Sequence, residues 1–218
     1  MLSVPAVKQT LFIGLLIIVT ACKDHYQHQL QPVSRFGRLL AAYADVTFDS
    51  LTVNSSEDPD AKTNPFRGKQ LDSTCIRLLP GKTASTYDSG FYACYKFRID
   101  GSKIGLITRT PSEYISSSIK LFILDEKLDS IVGHLELAEL IADAGDVINK
   151  SSLLFKGGNR KVQCIIWQQE SHDNSVNNPK DTTTDVSDRY YLVSLSGHSI
   201  DTTSTDSARL ANRFRPIP

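Results

Sequence analysis

The chain has 218 residues, and its 24 basic and 24 acidic side chains cancel at neutral pH. This length is typical of one domain with a sizeable hydrophobic core. The balanced charge argues against a basic face that neutralises phosphates, so we expect no nucleic-acid partner.

The first 21 residues have the pattern of an export signal. Lys8 and the amino terminus place positive charge before an apolar run from Leu11 to Val19. A positive flank, a short apolar core and small residues before a cleavage point are typical of secretory signal peptides. The run is shorter than the roughly 20 apolar residues that a membrane-spanning helix needs. We therefore expect the segment to be removed on export.

The residues that close this segment, Val19-Thr20-Ala21-Cys22, resemble the lipobox of bacterial lipoproteins. The resemblance implies a type II signal peptide, cut just before Cys22, and acyl chains such as palmitate on that cysteine. The membrane would then be a partner through this lipid anchor. Lys23-Asp24 is similar to the surface-export signal of some lipoproteins of Bacteroidota. Lys23 also stands where lipoproteins of enteric bacteria carry an aspartate that retains them at the inner membrane. The resemblance thus implies a cell-envelope protein of the outer membrane, on either its periplasmic or its surface face.

Composition divides the rest of the chain into three parts. Removing the 21 signal residues from 218 leaves 197. Residues 22–33 are polar and without periodicity, which is typical of a flexible tether. Residues 34–205 alternate apolar runs with turn residues and form the expected single domain. Residues 206–218 are predicted to be a C-terminal tail.

The apolar periodicity of the body indicates a mainly β domain with minor α. Phe36, Leu39, Leu40 and Tyr43 have the spacing of one helix face, and Leu137, Leu140, Ile141, Ala144 and Ile148 predict a second short helix that ends near Ala144. Turn residues between strand-like runs predict three hairpins. Their turns are Asp100-Gly101, Asp125-Glu126-Lys127 and Gly157-Gly158-Asn159. Further strands are predicted at residues 46–53 and 189–195, and loops at 54–69 and 170–188. We expect an antiparallel meander or sandwich-like sheet with one or two short helices.

Three cysteines remain once Cys22 is assigned to lipid, namely Cys75, Cys94 and Cys164. Export makes a disulfide chemically permissible, and Cys75 and Cys94 are the pair nearest in sequence. The alternative is that all three are small buried apolar side chains, as free cysteine often is. Both interpretations stay open.

The strongest local candidate for a site is the oxygen-rich stretch from Ser171 to Asp181. Carboxylate and amide oxygens are ligands that hard cations prefer, so His172, Asp173 and Asp181 are the candidate metal ligands. The spacing is not that of an EF-hand, and Lys180 adds a positive charge. The alternative is a solvated loop, and we expect no metal and no cofactor.

The sequence favours a non-catalytic binding or structural module of the cell envelope over an enzyme. It contains no Gly-x-Ser-x-Gly, His-Glu-x-x-His or Cys-x-x-Cys motif. The alternative is an envelope hydrolase whose site is assembled from distant residues, with His172, Asp173 and Asp146 as its participants. That hypothesis requires at least two of these side chains to meet in one concave pocket. An inhibitor or immunity-type lipoprotein would instead show an exposed apolar patch on the sheet.

Overall fold

A computed structural model describes residues 34–80, 89–112, 117–158, 161–195 and 200–214. The predicted export signal, Cys22 and the tether lie outside these residues. A compact body begins at Ser34. Within the five described ranges, no helix is long and apolar enough to cross a membrane.

The described residues form eleven strands, three short α-helices and one 3₁₀ turn. The strands are β1 (Ala44–Asp45), β2 (Ser50–Asn54), β3 (Lys69–Gln70), β4 (Tyr92–Arg98), β5 (Lys103–Thr110), β6 (Ser118–Asp125), β7 (Ser130–Asp143), β8 (Asp146–Lys156), β9 (Val162–Asp173), β10 (Thr184–Ser194) and β11 (Asp201–Ser204). The helices are α1 (Gly37–Ala42), α2 (Ser73–Ile76) and α3 (Ser207–Ala211), and the 3₁₀ turn is Asn174–Val176.

The strands form one open sheet that follows the chain as a meander. From β4 to β11, each strand pairs antiparallel with the next strand in sequence. β1 and β3 both pair with β4, and β2 pairs with β8. The sheet does not close into a barrel. The predicted mainly β class is therefore confirmed, and so are the three hairpins, β4–β5, β6–β7 and β8–β9.

The long strand β7 belongs to both halves of the sheet. Its residues up to Ala138 pair with β6, and Glu139–Asp143 pair with β8. Side chains from both halves meet in one buried cluster, the inner core, so the two halves face each other as in a sandwich. The inner core includes Val53, Phe97, Ile107, Leu121, Leu137, Leu154, Cys164, Ile166 and Val193.

Helices cover the two outer faces of the sheet. On the first half, Phe36, Leu39 and Tyr43 from the α1 region pack against strand residues, which confirms the predicted amphipathic helix. On the second half, Leu210 of α3 and the following Phe214 are buried against Trp167 and Tyr190. The folded body thus extends to Phe214, beyond the predicted boundary at residue 205.

A β-bulge in β4 changes which face its side chains occupy. The register shifts between Ala93 and Tyr95. Because a bulge adds one residue to one strand, Phe91 and Ala93 pack under the helices whereas Phe97 and Ile99 enter the inner core. Without the bulge, strict two-residue alternation along the strand would place all four side chains on one face.

The second predicted helix, over residues 137–148, is also wrong. This stretch is the β7–β8 hairpin, in which Asp143 pairs with Asp146. Ala144 and Gly145 form its two-residue turn with φ of 48° and 91°, the positive values that a tight hairpin turn needs. The predicted loop 170–188 is shorter than expected, because β9 continues to Asp173 and β10 starts at Thr184.

Cys75, Cys94 and Cys164 are all free and buried in the structure. Cys75 packs in the cluster under α1 and α2, whereas Cys94 and Cys164 belong to the inner core. Burial raises the pKa of the Cys94 thiol to about 11 and that of the Cys164 thiol to about 12. The structure contains no disulfide bond between Cys75 and Cys94, and all three cysteines are buried free thiols.

Candidate functional site

Four strand segments extend beyond the buried clusters and form what we call the tip. They are residues 139–143 of β7, 146–150 of β8, 168–173 of β9 and 184–189 of β10, together with the loop 174–183. Every residue of these segments is half-buried or exposed. The tip is thus a sheet that contributes little to the core and is available for contacts with other molecules.

An open concavity of about 430 Å³ lies at the tip. It is lined by three consecutive residues from each of three strands, 146–148, 170–172 and 185–187. Three of the nine lining residues are aliphatic and six are polar or charged. These residues are Asp146, Val147, Ile148, Glu170, Ser171, His172, Asp185, Val186 and Ser187. We call this site the tip concavity.

Asp146 and His172 meet inside the tip concavity. They are directly opposite each other on β8 and β9, and Asp146 Oδ1 lies 2.7 Å from His172 Nδ1. The side chain of Asn177 approaches the other ring nitrogen, with Nδ2 2.9 Å from Nε2. An amide N–H can only donate, so this network assigns the imidazole proton to Nδ1, which donates it to Asp146. The arrangement orients the ring, and it engages both ring nitrogens.

Asp173 and Asp181 have other roles. Asp173 Oδ1 accepts a hydrogen bond from the backbone of Ser175 and caps the 3₁₀ turn, while Asp181 Oδ1 accepts from Thr183. These bonds lower the pKa of both carboxyls. Across the described part of the chain, no group of three or more His, Cys, Asp or Glu side chains could hold a metal ion. The three candidate ligands His172, Asp173 and Asp181 therefore do not form one site.

The geometric condition for the hydrolase hypothesis is met by two of its three residues. Asp146 and His172 converge in the tip concavity, and Asp173 does not line it. The hydrogen-bond partners of His172 among the described side chains are Asp146 and Asn177, and neither is a hydroxyl or thiol nucleophile. The pair can exchange a proton, but no hydroxyl or thiol among the described residues is hydrogen-bonded to it.

Trp167, which precedes this region in sequence, is part of the core. It is 7 % exposed and packs with Phe155 and Tyr190 in the cluster under α3. Its indole Nε1 donates to Asp188 Oδ1 at 2.8 Å. The indole therefore holds the base of the tip in place and does not offer a stacking platform to a ligand.

The tip is strongly acidic, although the net charge of the whole chain is zero. Residues 139–150 and 168–189 contain eight Asp or Glu and three Lys or Arg, a net charge of −5 with His172 neutral, whereas the whole chain sums to zero. Asp143, Asp146, His172 and Asp185 face each other across four strands in one row. Like charges opposite each other destabilise a sheet. Only the register of the strands could have revealed this row.

A second concavity, of about 450 Å³, lies under the loop that follows β2 and includes Asn54, Asp58 and Asn64. Asn64 uses both ends of its amide within the loop, since it donates to Pro59 O and accepts from the Phe66 backbone. The Asn64 amide thus shapes the loop itself. The tip concavity is therefore the stronger candidate site.

No protein-family model matches this chain, and neither a curated protein nor a solved structure matches it.

Proposed function

We propose that this chain is a lipid-anchored protein of the cell envelope whose folded domain is a non-catalytic binding module. The tip concavity is its ligand site in this proposal. The observation that carries the proposal is that the concavity is formed by strands that extend beyond the buried clusters, so that its side chains are half-buried or exposed. Its lining combines three aliphatic residues with six polar or charged ones, and polar groups of this kind fix the orientation of a ligand.

The lipid anchor in this proposal depends on Val19-Thr20-Ala21-Cys22 and on the polar tether that leads to the domain at Ser34. Its test is the intact mass of the protein extracted from membranes. A chain that starts at an acylated Cys22 supports the anchor, and Cys22→Ala should leave an unprocessed, unacylated precursor. An unmodified wild-type mass would contradict it. Protease accessibility in whole cells then distinguishes the surface face from the periplasmic face.

The binding role is tested by thermal unfolding with four chemically defined ligand sets: organic cations, organic anions, neutral saccharides and fatty acyl compounds. A ligand that binds only the folded state raises Tm. The matched variants are Ser187→Trp, which fills the tip concavity, and Thr202→Trp, on the exposed strand β11. We expect one set to raise Tm of the wild type and of Thr202→Trp but not of Ser187→Trp. A shift that survives in Ser187→Trp, or no shift with any set, would contradict the proposed site.

Hydrolysis is the second candidate function, and the Asp146–His172 pair is the observation that favours it. It predicts turnover of activated acyl esters by the wild type at neutral to mildly alkaline pH. His172→Ala should reduce that turnover at least about a hundredfold, the usual contribution of a general base. Equal rates for the wild type and His172→Ala would exclude this role for the pair and leave binding as the function.

A further inference from the structure

We propose that the partner of the tip is an extended basic segment of another protein, which adds as a strand to the free edge of β10. This inference rests on the proposed function, because it assigns an occupant to the same region. Three properties of the tip lead to it: an open strand edge, an acidic surface, and the alternation of polar and aliphatic side chains along β10.

The edge is open over six residues. Thr184–Arg189 pair with β9 on one side, and β11 pairs only with Leu192–Ser194 on the other. No strand in the described chain covers that second side, and all six residues are exposed. Such an edge presents unpaired backbone N–H and C=O groups to which an extended peptide can add.

The charge of the tip selects a basic peptide. Asp185 lies on this edge, and it makes no ion pair among the described residues. The nearby Arg189 is engaged with Glu170 at 3.4 Å. With a net charge of −5 around it, the edge repels acidic segments and attracts basic ones. The same edge of a second copy would bring the same acidic surface, so the charge disfavours self-association.

The two faces of the edge strand present different side chains to an added peptide. Asp185 and Ser187 are opposite His172 and Glu170, whereas Val186 is opposite Ser171 and lies on the other face. Val186 is 57 % exposed. Side chains of an added strand alternate in the same way, so a peptide that alternates basic and aliphatic residues meets carboxylates on one face and Val186 on the other.

The test uses three fluorescently labelled decapeptides and the folded chain. One alternates Lys and Val, the second alternates Glu and Val, and the third alternates Lys and Pro. The third peptide keeps the charge but cannot donate backbone hydrogen bonds at its prolines. We expect the Lys-Val peptide to bind at least about tenfold more tightly than either control, and to weaken as salt rises.

The matched protein variants are Asp185→Lys and Asp49→Lys. Asp49 is exposed, and its backbone carbonyl accepts a hydrogen bond from Lys156 N. Lys156 is at the opposite end of β8 from Asp146, ten residues or about 33 Å along the strand. Asp185→Lys should weaken binding of the Lys-Val peptide at least about tenfold, and Asp49→Lys should leave it within about twofold. Thermal unfolding confirms that both variants are folded.

Amide hydrogen exchange locates the peptide. Bound Lys-Val peptide should slow exchange at the outward N–H groups of Thr184–Arg189 at least about tenfold, because they enter a hydrogen-bonded ladder. Equal affinity of the Lys-Pro peptide, unchanged exchange at this edge, or self-association of the chain through β10 would overturn the strand-addition proposal. If a small molecule still raises Tm through the tip concavity while no peptide binds, the binding module stands and its occupant is not a peptide.

Discussion

The Cγ2 atom of Val176 lies 2.5 Å from the position that a Cβ atom on Gly145 would take. The β7–β8 turn and the 3₁₀ turn after β9 are therefore packed directly on each other. The backbone N–H of Asp173 donates to the Gly145 carbonyl at 2.9 Å and fixes the same contact. This packing places Asn177, at the end of the 3₁₀ turn, where it reaches His172.

Gly145→Ala should destabilise the protein by about 1–2 kcal/mol, because Gly145 has a φ of 91° and its new methyl group would displace Val176. Urea unfolding measures the loss, and the imidazole signals of His172 should shift as Asn177 moves away. The control is Gly101→Ala, at a turn with no atom near the added methyl group. Equal stability of the two variants would contradict the proposed packing of the tip.

His172→Ala and Asp146→Asn should each change the free energy of unfolding by less than about 1 kcal/mol. The two side chains are 31 % and 68 % exposed, so solvent screens their attraction. A double-mutant cycle in urea measures their coupling energy. A coupling well above about 1 kcal/mol would mean that the pair supports the fold, which would argue against a role in a ligand site.

The thiols of Cys75, Cys94 and Cys164 should not react with a thiol reagent in the folded protein. All three are buried, and burial raises the pKa of each, so little thiolate exists at mildly alkaline pH. With Cys22→Ala as background, denaturation without reductant should release three reactive thiols. A single reactive thiol would instead reveal a disulfide between two of them.

Asp72→Asn should destabilise the protein at neutral pH, and the difference from the wild type should close as the pH falls. Asp72 Oδ1 accepts from the Cys75 backbone at 3.0 Å, and this bond, assisted by Arg38, holds the pKa of the carboxyl below its usual value. A lowered folded-state pKa adds stability above the unfolded pKa of about 3.9 that is lost as pH falls through the folded pKa. Urea unfolding from neutral to acidic pH measures both proteins. A difference that is constant with pH would contradict this role.

Local patterns were sufficient for most of the fold. Alternating apolar residues joined by turn residues predicted three hairpins, because both signals act within a few residues. The prediction of a helix from Leu137 to Ile148 was wrong for a physical reason. In a sheet that extends past its core neither face is fully buried, so Leu140 and Ile141 are both half-buried on opposite faces and lose the alternation of a strand. The turn also uses Ala144 at positive φ, which residue preferences do not predict.

The candidate site was predictable only in part. His172 and Asp146 could be named as residues with suitable chemistry, but their contact spans 26 residues and depends on the β8–β9 register. Asn177 gave no separate signal, because an asparagine in a polar loop looks like any turn residue. The pairing of Asp143 with Asp146 was not predicted, because the apolar spacing of that hairpin matches a helix.

The shared strand β7 has a consequence for how the protein unfolds. Its 14 residues are paired first with β6 and then with β8, so neither half of the sheet can detach without stripping a strand from the other. The halves should therefore melt together in a single cooperative transition, and tightening of the tip by a ligand should raise the melting temperature of the whole domain.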